Sequence, residues 1–178
     1  MEYSESLKER MKKIRLIIMD VDGVLTDGGI YMGPTGEAMK RFDVKDGAGV
    51  ALWHDSGKMT AIITGRKSEI VERRAEELHI TRVFQGCADK REAYESLKKE
   101  LGLSDDEIAY IGDDFIDVPV MKKVGLPVAV ADASETAKRA ARLLTDRPGG
   151  RGAVRETVEA LLFAQGRFEA IEEWYTFS

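Results

Sequence analysis

Short runs of consecutive apolar residues alternate along this chain with stretches whose apolar residues recur at helical spacing. Residues 14–19 (IRLIIM), 59–64 (MTAIIT), 107–111 (EIAYI) and 127–130 (PVAV) read as strands buried on both faces, 142–145 as a weaker one and 83–84 as a very short one. Between them, residues 47–56, 67–78, 90–101, 116–123 and 135–141 read as helices, and 153–164 carries Val154, Val158, Leu161 and Leu162 on one helical face. A strand that is apolar throughout leaves no face for water. Such strands separated by helices predict an α/β fold, a doubly wound parallel sheet covered on both sides. Gly57, Gly102 and Gly125 follow helical stretches, where a left-handed residue ends a helix. Ser104-Asp105-Asp106-Glu107 reads as a turn into the third strand.

One stretch breaks the rhythm. Residues 29–44 (GIYMGPTGEAMKRFDV) place extended runs on either side of Gly33-Pro34-Thr35-Gly36, which predicts a β-hairpin where a plain doubly wound fold would have its first helix. No repeat, low-complexity tract or long linker interrupts the chain, so residues 1–178 are expected to form a single domain. The end of the chain, Trp174-Tyr175-Thr176-Phe177-Ser178, is aromatic enough to suggest docking, for instance on a neighbouring subunit.

Composition narrows the function classes. With 27 Lys and Arg against 32 Asp and Glu, the net charge is −5, which argues against a nucleic-acid partner. There is no apolar run of about 18 residues to span a membrane, and the charged first residues do not read as a signal peptide. The single cysteine, Cys87, allows no internal disulfide, and the expected location is the cytoplasm. Two histidines, His54 and His79, and one cysteine cannot build a typical zinc site.

The chemistry sits at the strand ends. In an open parallel sheet, ligands bind beyond the carboxyl ends of the strands. The first strand runs into Asp20-Val21-Asp22-Gly23 and the third into Gly112-Asp113-Asp114, with Asp117 one helical turn on. So many carboxylates at one edge repel one another unless a cation neutralises them. Ligands that are all oxygen suit Mg²⁺. The second strand ends in Thr64-Gly65-Arg66, whose hydroxyl and backbone N–H groups make a phosphate-friendly corner, and Lys90 at a helix start adds positive charge. A carboxylate nucleophile, a nearby acid–base group, a metal and donors for phosphoryl oxygens together suit phosphoryl transfer. Any one of these pairs alone would read as ordinary turn or cap chemistry; their combination at strand ends does not.

Asp20-Val21-Asp22-Gly23-Val24-Leu25-Thr26-Asp27-Gly28 resembles the first motif of the haloacid dehalogenase phosphatases, and Thr64, Lys90 and Gly112-Asp113-Asp114-Phe115-Ile116-Asp117 resemble motifs two to four. The resemblance implies that Asp20 is the nucleophile, forming an aspartyl-phosphate, and that Asp22 protonates the leaving alkoxide and then activates water. It implies Mg²⁺ held by Asp20, the Asp22 carbonyl and Asp113, with Asp114 and Asp117 in support, and a phosphoryl group bound by Thr64 and Lys90.

The gaps between motifs leave no room for a cap domain. This layout resembles the 3-deoxy-D-manno-octulosonate 8-phosphate phosphatases, homotetramers whose hairpins associate around a fourfold axis and whose product feeds lipopolysaccharide synthesis. Asp46-Gly47-Ala48-Gly49, Gln85-Gly86-Cys87 and Gly149-Gly150-Arg151-Gly152 are local matches. Arg66 and Arg74 are expected to recognise the sugar acid, with Gly65 beside Arg66 and Arg151, in the glycine-rich segment, lining the same opening; the resemblance implies that Arg74 reaches the carboxylate across a subunit interface. Taken alone, Arg74 lies in a charged helical run that ordinarily faces solvent. The related enzymes for a nine-carbon sugar acid, 2-keto-3-deoxynonulosonate 9-phosphate, tend to carry Glu where Arg66 stands and Lys where Glu77 stands, so these positions favour the eight-carbon substrate. The competing readings are a phosphatase for the nine-carbon acid or another sugar phosphate, a non-catalytic tetramerisation module, and a phosphate-sensing receiver domain.

Overall fold

The structure, a computed structural model, describes residues 3–177, without the side chains at 174, 175 and 177. Its elements in chain order are α1 (Glu5–Lys13), β1 (Leu16–Met19), β2 (Tyr31–Gly33), β3 (Gly36–Met39), α2 (Val44–Asp55), β4 (Met59–Ile63), α3 (Glu69–Glu77), β5 (Val83–Phe84), α4 (Lys90–Leu101), β6 (Ile108–Gly112), α5 (Val118–Met121), β7 (Leu126–Ala129), α6 (Glu135–Ala140), β8 (Leu143–Leu144), α7 (Ala153–Ala164) and α8 (Phe168–Phe177). The main sheet has six parallel strands in the order β5-β4-β1-β6-β7-β8. All residues of β1, β6 and β7 are buried, which is why these strands read as unbroken apolar runs. Helices α1, α2 and α7 pack together, as do α4, α5 and α6. Within the core, Trp53 is fully buried and donates its Nε1–H to the Met59 carbonyl at 2.8 Å.

The expected hairpin is present as β2 and β3, an antiparallel pair separate from the main sheet, and its base is tied by a bridge between Thr26 and Phe42. Ile30, Tyr31, Met32 and Met39 on it are exposed. No cap domain stands among the described residues. Two helices go beyond the sequence reading. In α1, Ser4 caps the start by accepting from the Leu7 N–H, and Met11 is its buried anchor. The other is α8; the docking expected of residues 174–178 falls largely outside the described side chains.

Gly57 and Gly102 adopt left-handed backbone after α2 and α4. Gly125 does not, and its requirement is space: a Cβ there would lie 2.7 Å from Asp106 Cα. The Ser104 turn is a 3₁₀ segment (Asp105–Glu107) closed by a reciprocal Ser104–Glu107 capping box. Among the described residues, no helix is long and apolar enough to cross a membrane.

Candidate active site

The sheet order sets the site. β1 lies between β4 and β6, with Met19 in register with Ile62 on one side and Ile111 on the other. Asp20, Thr64 and Asp113 therefore leave neighbouring strands at the same edge. The crossing of the chain from β5 to β6 opens the crevice at which such folds bind ligands. Asp20 continues the ladder through its N–H to the Ile111 carbonyl at 3.1 Å. Thr64 is held on both sides by backbone bonds, donating to Phe84 and accepting from Cys87.

Asp20, Asp113 and Asp117 each offer a carboxylate oxygen, all within 4.8 Å of one another. They are not equivalent. Asp117 is fully buried and its oxygens are filled: Oδ1 accepts from Lys90 Nζ at 2.6 Å and from the Tyr110 hydroxyl at 2.6 Å, and Oδ2 from the N–H groups of Asp113 and Asp114 at 2.9 and 3.1 Å. It is the organiser of the acidic loop. Lys90 Nζ also lies 2.8 Å from Asp20 Oδ1, but its hydrogen bonds go to Asp117 and Tyr110. Asp20 Oδ1 is thus a buried oxygen with an ion-pair neighbour and no hydrogen-bond partner. Asp113 lies against Gly23, whose left-handed backbone (φ +92°) and missing Cβ make the space: a Cβ would fall 2.2 Å from Asp113 Oδ2.

With only protein charges around them, Asp20 and Asp113 hold protons more strongly than free carboxyls do. Burial pushes Asp20 up to about 6, against the attraction of Lys90, with the charge of Asp117 adding to the rise. Burial followed by the charges of Asp20, Asp117 and Asp114 pushes Asp113 up to about 8. Burial works against the Lys90 ammonium, yet Asp20 and Asp117 outweigh it and hold the lysine above its ordinary value. An orphaned carboxylate oxygen facing a second under-neutralised carboxylate, all oxygen in donor set, fits a hard divalent cation such as Mg²⁺.

Asp22 is drawn into a second network. Its Oδ1 accepts from Lys40 Nζ at 2.5 Å, and its Oδ2 lies 3.6 Å from Arg66 Nε. Glu37 bridges Lys40 at 2.9 Å, Arg66 at 3.5 Å and the Ser68 hydroxyl. Burial opposes the Lys40 ammonium, but its hydrogen bonds to Asp22 and Glu37 prevail and raise it above its usual value. Sequence patterns do not single out Lys40, Glu37 or Tyr110. For Lys40 and Glu37 no local signal exists, because the hairpin returns to the site through tertiary packing; Tyr110 carries a weak one, as a hydroxyl buried next to the acidic strand end.

The other expected residues fall into place unequally. A Cβ at Gly65 would lie 3.2 Å from Ile116 Cδ1, which sets the second strand end against the acidic loop. The segment 149–152 docks backbone on backbone onto the first motif: Gly150 donates to the Val24 carbonyl at 2.8 Å, and a Cβ on Gly149 would overlap the Gly23 carbonyl. Buried Asp46 fixes that segment by accepting from the N–H groups of Gly152 and Arg155 at 3.1 and 3.0 Å. Arg151 is exposed beside it, and Asp114 is exposed on the acidic loop. Arg74 is not brought to the carboxylates by any contact among the described residues. It lies over the Phe42 ring at 5.5 Å, against Gly47, and pairs with Glu77 at 2.8 Å. Cys87 is part-buried and burial pushes its thiol up, as suits a packing residue.

Site and fold define the class first: residues 79–154 match the model for haloacid dehalogenase-like hydrolases. The chain is 48% identical over 166 residues to the 3-deoxy-D-manno-octulosonate 8-phosphate phosphatase of Escherichia coli (strain B / BL21-DE3), covering 93% of this chain and 88% of that protein. The crystal structure of the 3-deoxy-D-manno-octulosonate 8-phosphate phosphatase from Yersinia pestis is similar at a TM-score of 0.91 and 47% identity, covering 94% of this chain and 90% of the other. That of the phosphatase from Moraxella catarrhalis, in complex with a magnesium ion, a phosphate ion and a KDO molecule, gives 0.94 and 39%, covering 97% and 99%. The chain belongs to the 3-deoxy-D-manno-octulosonate 8-phosphate phosphatase family of haloacid dehalogenase-like hydrolases.

Proposed function

We propose that this chain is a Mg²⁺-dependent phosphatase that hydrolyses 3-deoxy-D-manno-octulosonate 8-phosphate to 3-deoxy-D-manno-octulosonate and phosphate, in the cytoplasm, as a step of lipopolysaccharide biosynthesis. The observation that carries the reading is the pair Asp20 and Asp113, two carboxyls at adjacent strand ends whose charges the protein leaves under-neutralised beside a buried lysine.

Asp20 attacks phosphorus, forming an aspartyl-phosphate as the bond to the sugar oxygen breaks. Asp22 gives its proton to that oxygen, then takes one from the water that hydrolyses the phosphoenzyme and restores Asp20. Lys90 and Thr64 bind the phosphoryl oxygens. Asp20, the Asp22 carbonyl and Asp113 would hold Mg²⁺, with Asp114 and Asp117 behind them; the cation supplies charge neutralisation between carboxylate and phosphate. Asp117 orients Lys90 from behind and fixes the backbone of the acidic loop.

Gly65, Arg66 and Arg151 line the entrance for the sugar acid. Arg74 serves a neighbouring protomer's site in a homotetramer, in keeping with its separation from the carboxylates of its own chain. The exposed apolar residues of the hairpin support such an assembly, which supplies the cover that an uncapped site lacks. Residues 1–178 act as one domain.

The test is phosphate release from a panel of sugar-acid phosphates, the eight- and nine-carbon acids among them, with Mg²⁺ and with EDTA. Turnover fastest on the eight-carbon acid and abolished by EDTA is expected, as is complete loss in Asp20→Asn. Metal-independent turnover, or normal turnover by Asp20→Asn, overturns the reading; preference for the nine-carbon acid overturns the substrate alone.

A further inference from the structure

Among the described salt bridges, the lysine side chains of Lys90 and Lys40 are both buried, to 0% and 1% exposure, whereas those of the other lysines are at least a fifth exposed. Lys90 belongs to the site already described. Lys40 lies just past β3, on the hairpin, and burying its ammonium is costly unless charge partners surround it. It has them on both sides: Asp22 Oδ1 at 2.5 Å and Glu37 Oε1 at 2.9 Å. Glu37 is in turn held by the hydroxyl of Ser68, the residue before α3. The hairpin is thereby tied to Asp22 from one side and to the α3 start from the other.

We propose that Lys40 is a positioning residue for the hydrolytic reaction, fixing the carboxyl group of Asp22 through Oδ1 so that Oδ2 is the oxygen that carries the transferred proton. The hairpin is then part of the catalytic apparatus as well as an exposed surface. The proposal rests on the phosphatase reading above. It follows from geometry: Asp22 stands on a loop rather than on a strand, one of its oxygens is captured by an ammonium that is itself clamped, and among the described ion pairs Oδ2 meets only the looser approach of Arg66 Nε at 3.6 Å.

The leaving group provides the test. A sugar alkoxide needs a proton as it departs; p-nitrophenolate does not. Lys40→Met is therefore expected to lose about 10²-fold in kcat/KM on 3-deoxy-D-manno-octulosonate 8-phosphate, the usual cost of a misplaced catalytic group, and no more than about threefold on p-nitrophenyl phosphate, with Lys40→Arg recovering part of the loss. Should the methionine variant fail to fold, Lys40→Gln, polar and nearly as long, takes its place. Equal losses on both substrates, or no loss on the sugar phosphate, overturn the proposal. A wild-type protein without Mg²⁺-dependent phosphate release on either substrate overturns instead the phosphatase reading, and the proposal with it.

Discussion

Asp117 and Lys90 form an ion pair of 2.6 Å in which neither side chain has any exposure. Each partner also acts elsewhere, since Lys90 reaches Asp20 and Asp117 accepts from the backbone of Asp113 and Asp114. Removing Asp117 leaves the buried Lys90 ammonium to Asp20 without its shorter pair and slackens the acidic loop at the same time. Asp117→Ala is expected to cost about 3–5 kcal/mol of stability in urea titrations, the range for a broken buried pair, and to lower turnover severely.

Tyr110→Phe isolates a smaller part of the same arrangement. The hydroxyl donates to Asp117 at 2.6 Å from a fully buried ring. Its loss deletes that bond to a charged acceptor and the one the hydroxyl accepts from Lys90 at 3.2 Å, without removing the Lys90–Asp117 pair, for an expected cost of about 1.5–3 kcal/mol. A denaturation midpoint equal to wild type would show that Asp117 is held without it.

With Asp113 as a metal ligand, as proposed above, its raised carboxyl gives Mg²⁺ binding a pH dependence. Raised to about 8, its carboxyl keeps a proton across neutral pH that a cation must displace. Mg²⁺ affinity should therefore tighten as pH rises from 6 to 8, by up to about tenfold per unit for one released proton, in calorimetric titrations. Stability of the metal-free protein responds in the opposite sense. The contribution of this group is complete below the unfolded value of 3.8 and is lost as pH climbs through about 8. The thermal stabilisation conferred by Mg²⁺ should be larger at pH 8 than at pH 6.

Gly23→Ala tests the contact that makes room for Asp113. The new methyl would meet Asp113 Oδ2 on a backbone of φ +92°, so the carboxylate must turn away. The Mg²⁺ concentration for half-activation is expected to rise about 10–100-fold, as for other disturbed metal-ligand supports. An unchanged activation curve would remove Asp113 from the metal site.

Met32→Glu places a charge on the hairpin where an apolar side chain is 68% exposed. If copies associate through this face, light scattering should report a smaller particle. Loss of a charge-assisted contact from a neighbouring Arg74 should then raise KM about tenfold or more. A monomeric wild type with full activity would refute the assembly.

Much of the fold was legible because strands buried on both faces must be apolar throughout. β1, β6 and β7 announce themselves, α4 and α7 have the expected bounds, and the motif carboxylates lie at the strand ends. What escaped depends on distance in sequence. Lys40 meets Asp22 across 18 positions and Glu37 meets Ser68 across 31, and no periodicity encodes such encounters. α1 escaped because its mostly charged surface hides a single buried anchor, Met11. Gly125 misled because close approach and left-handed backbone both call for the same residue.

The placement of β1 has a consequence for how activity fades. This strand is bonded on both edges and shielded on both faces, so its amides should exchange with solvent only when the whole molecule opens. Asp20 is rooted in that most persistent part, while the hairpin lies outside the main sheet, held to the body by the Thr26–Phe42 bridge and by the side-chain contacts of Glu37, Lys40 and Arg41, and can fray earlier. Gentle warming would then release Lys40 and its hold on Asp22 while Asp20 stays in place.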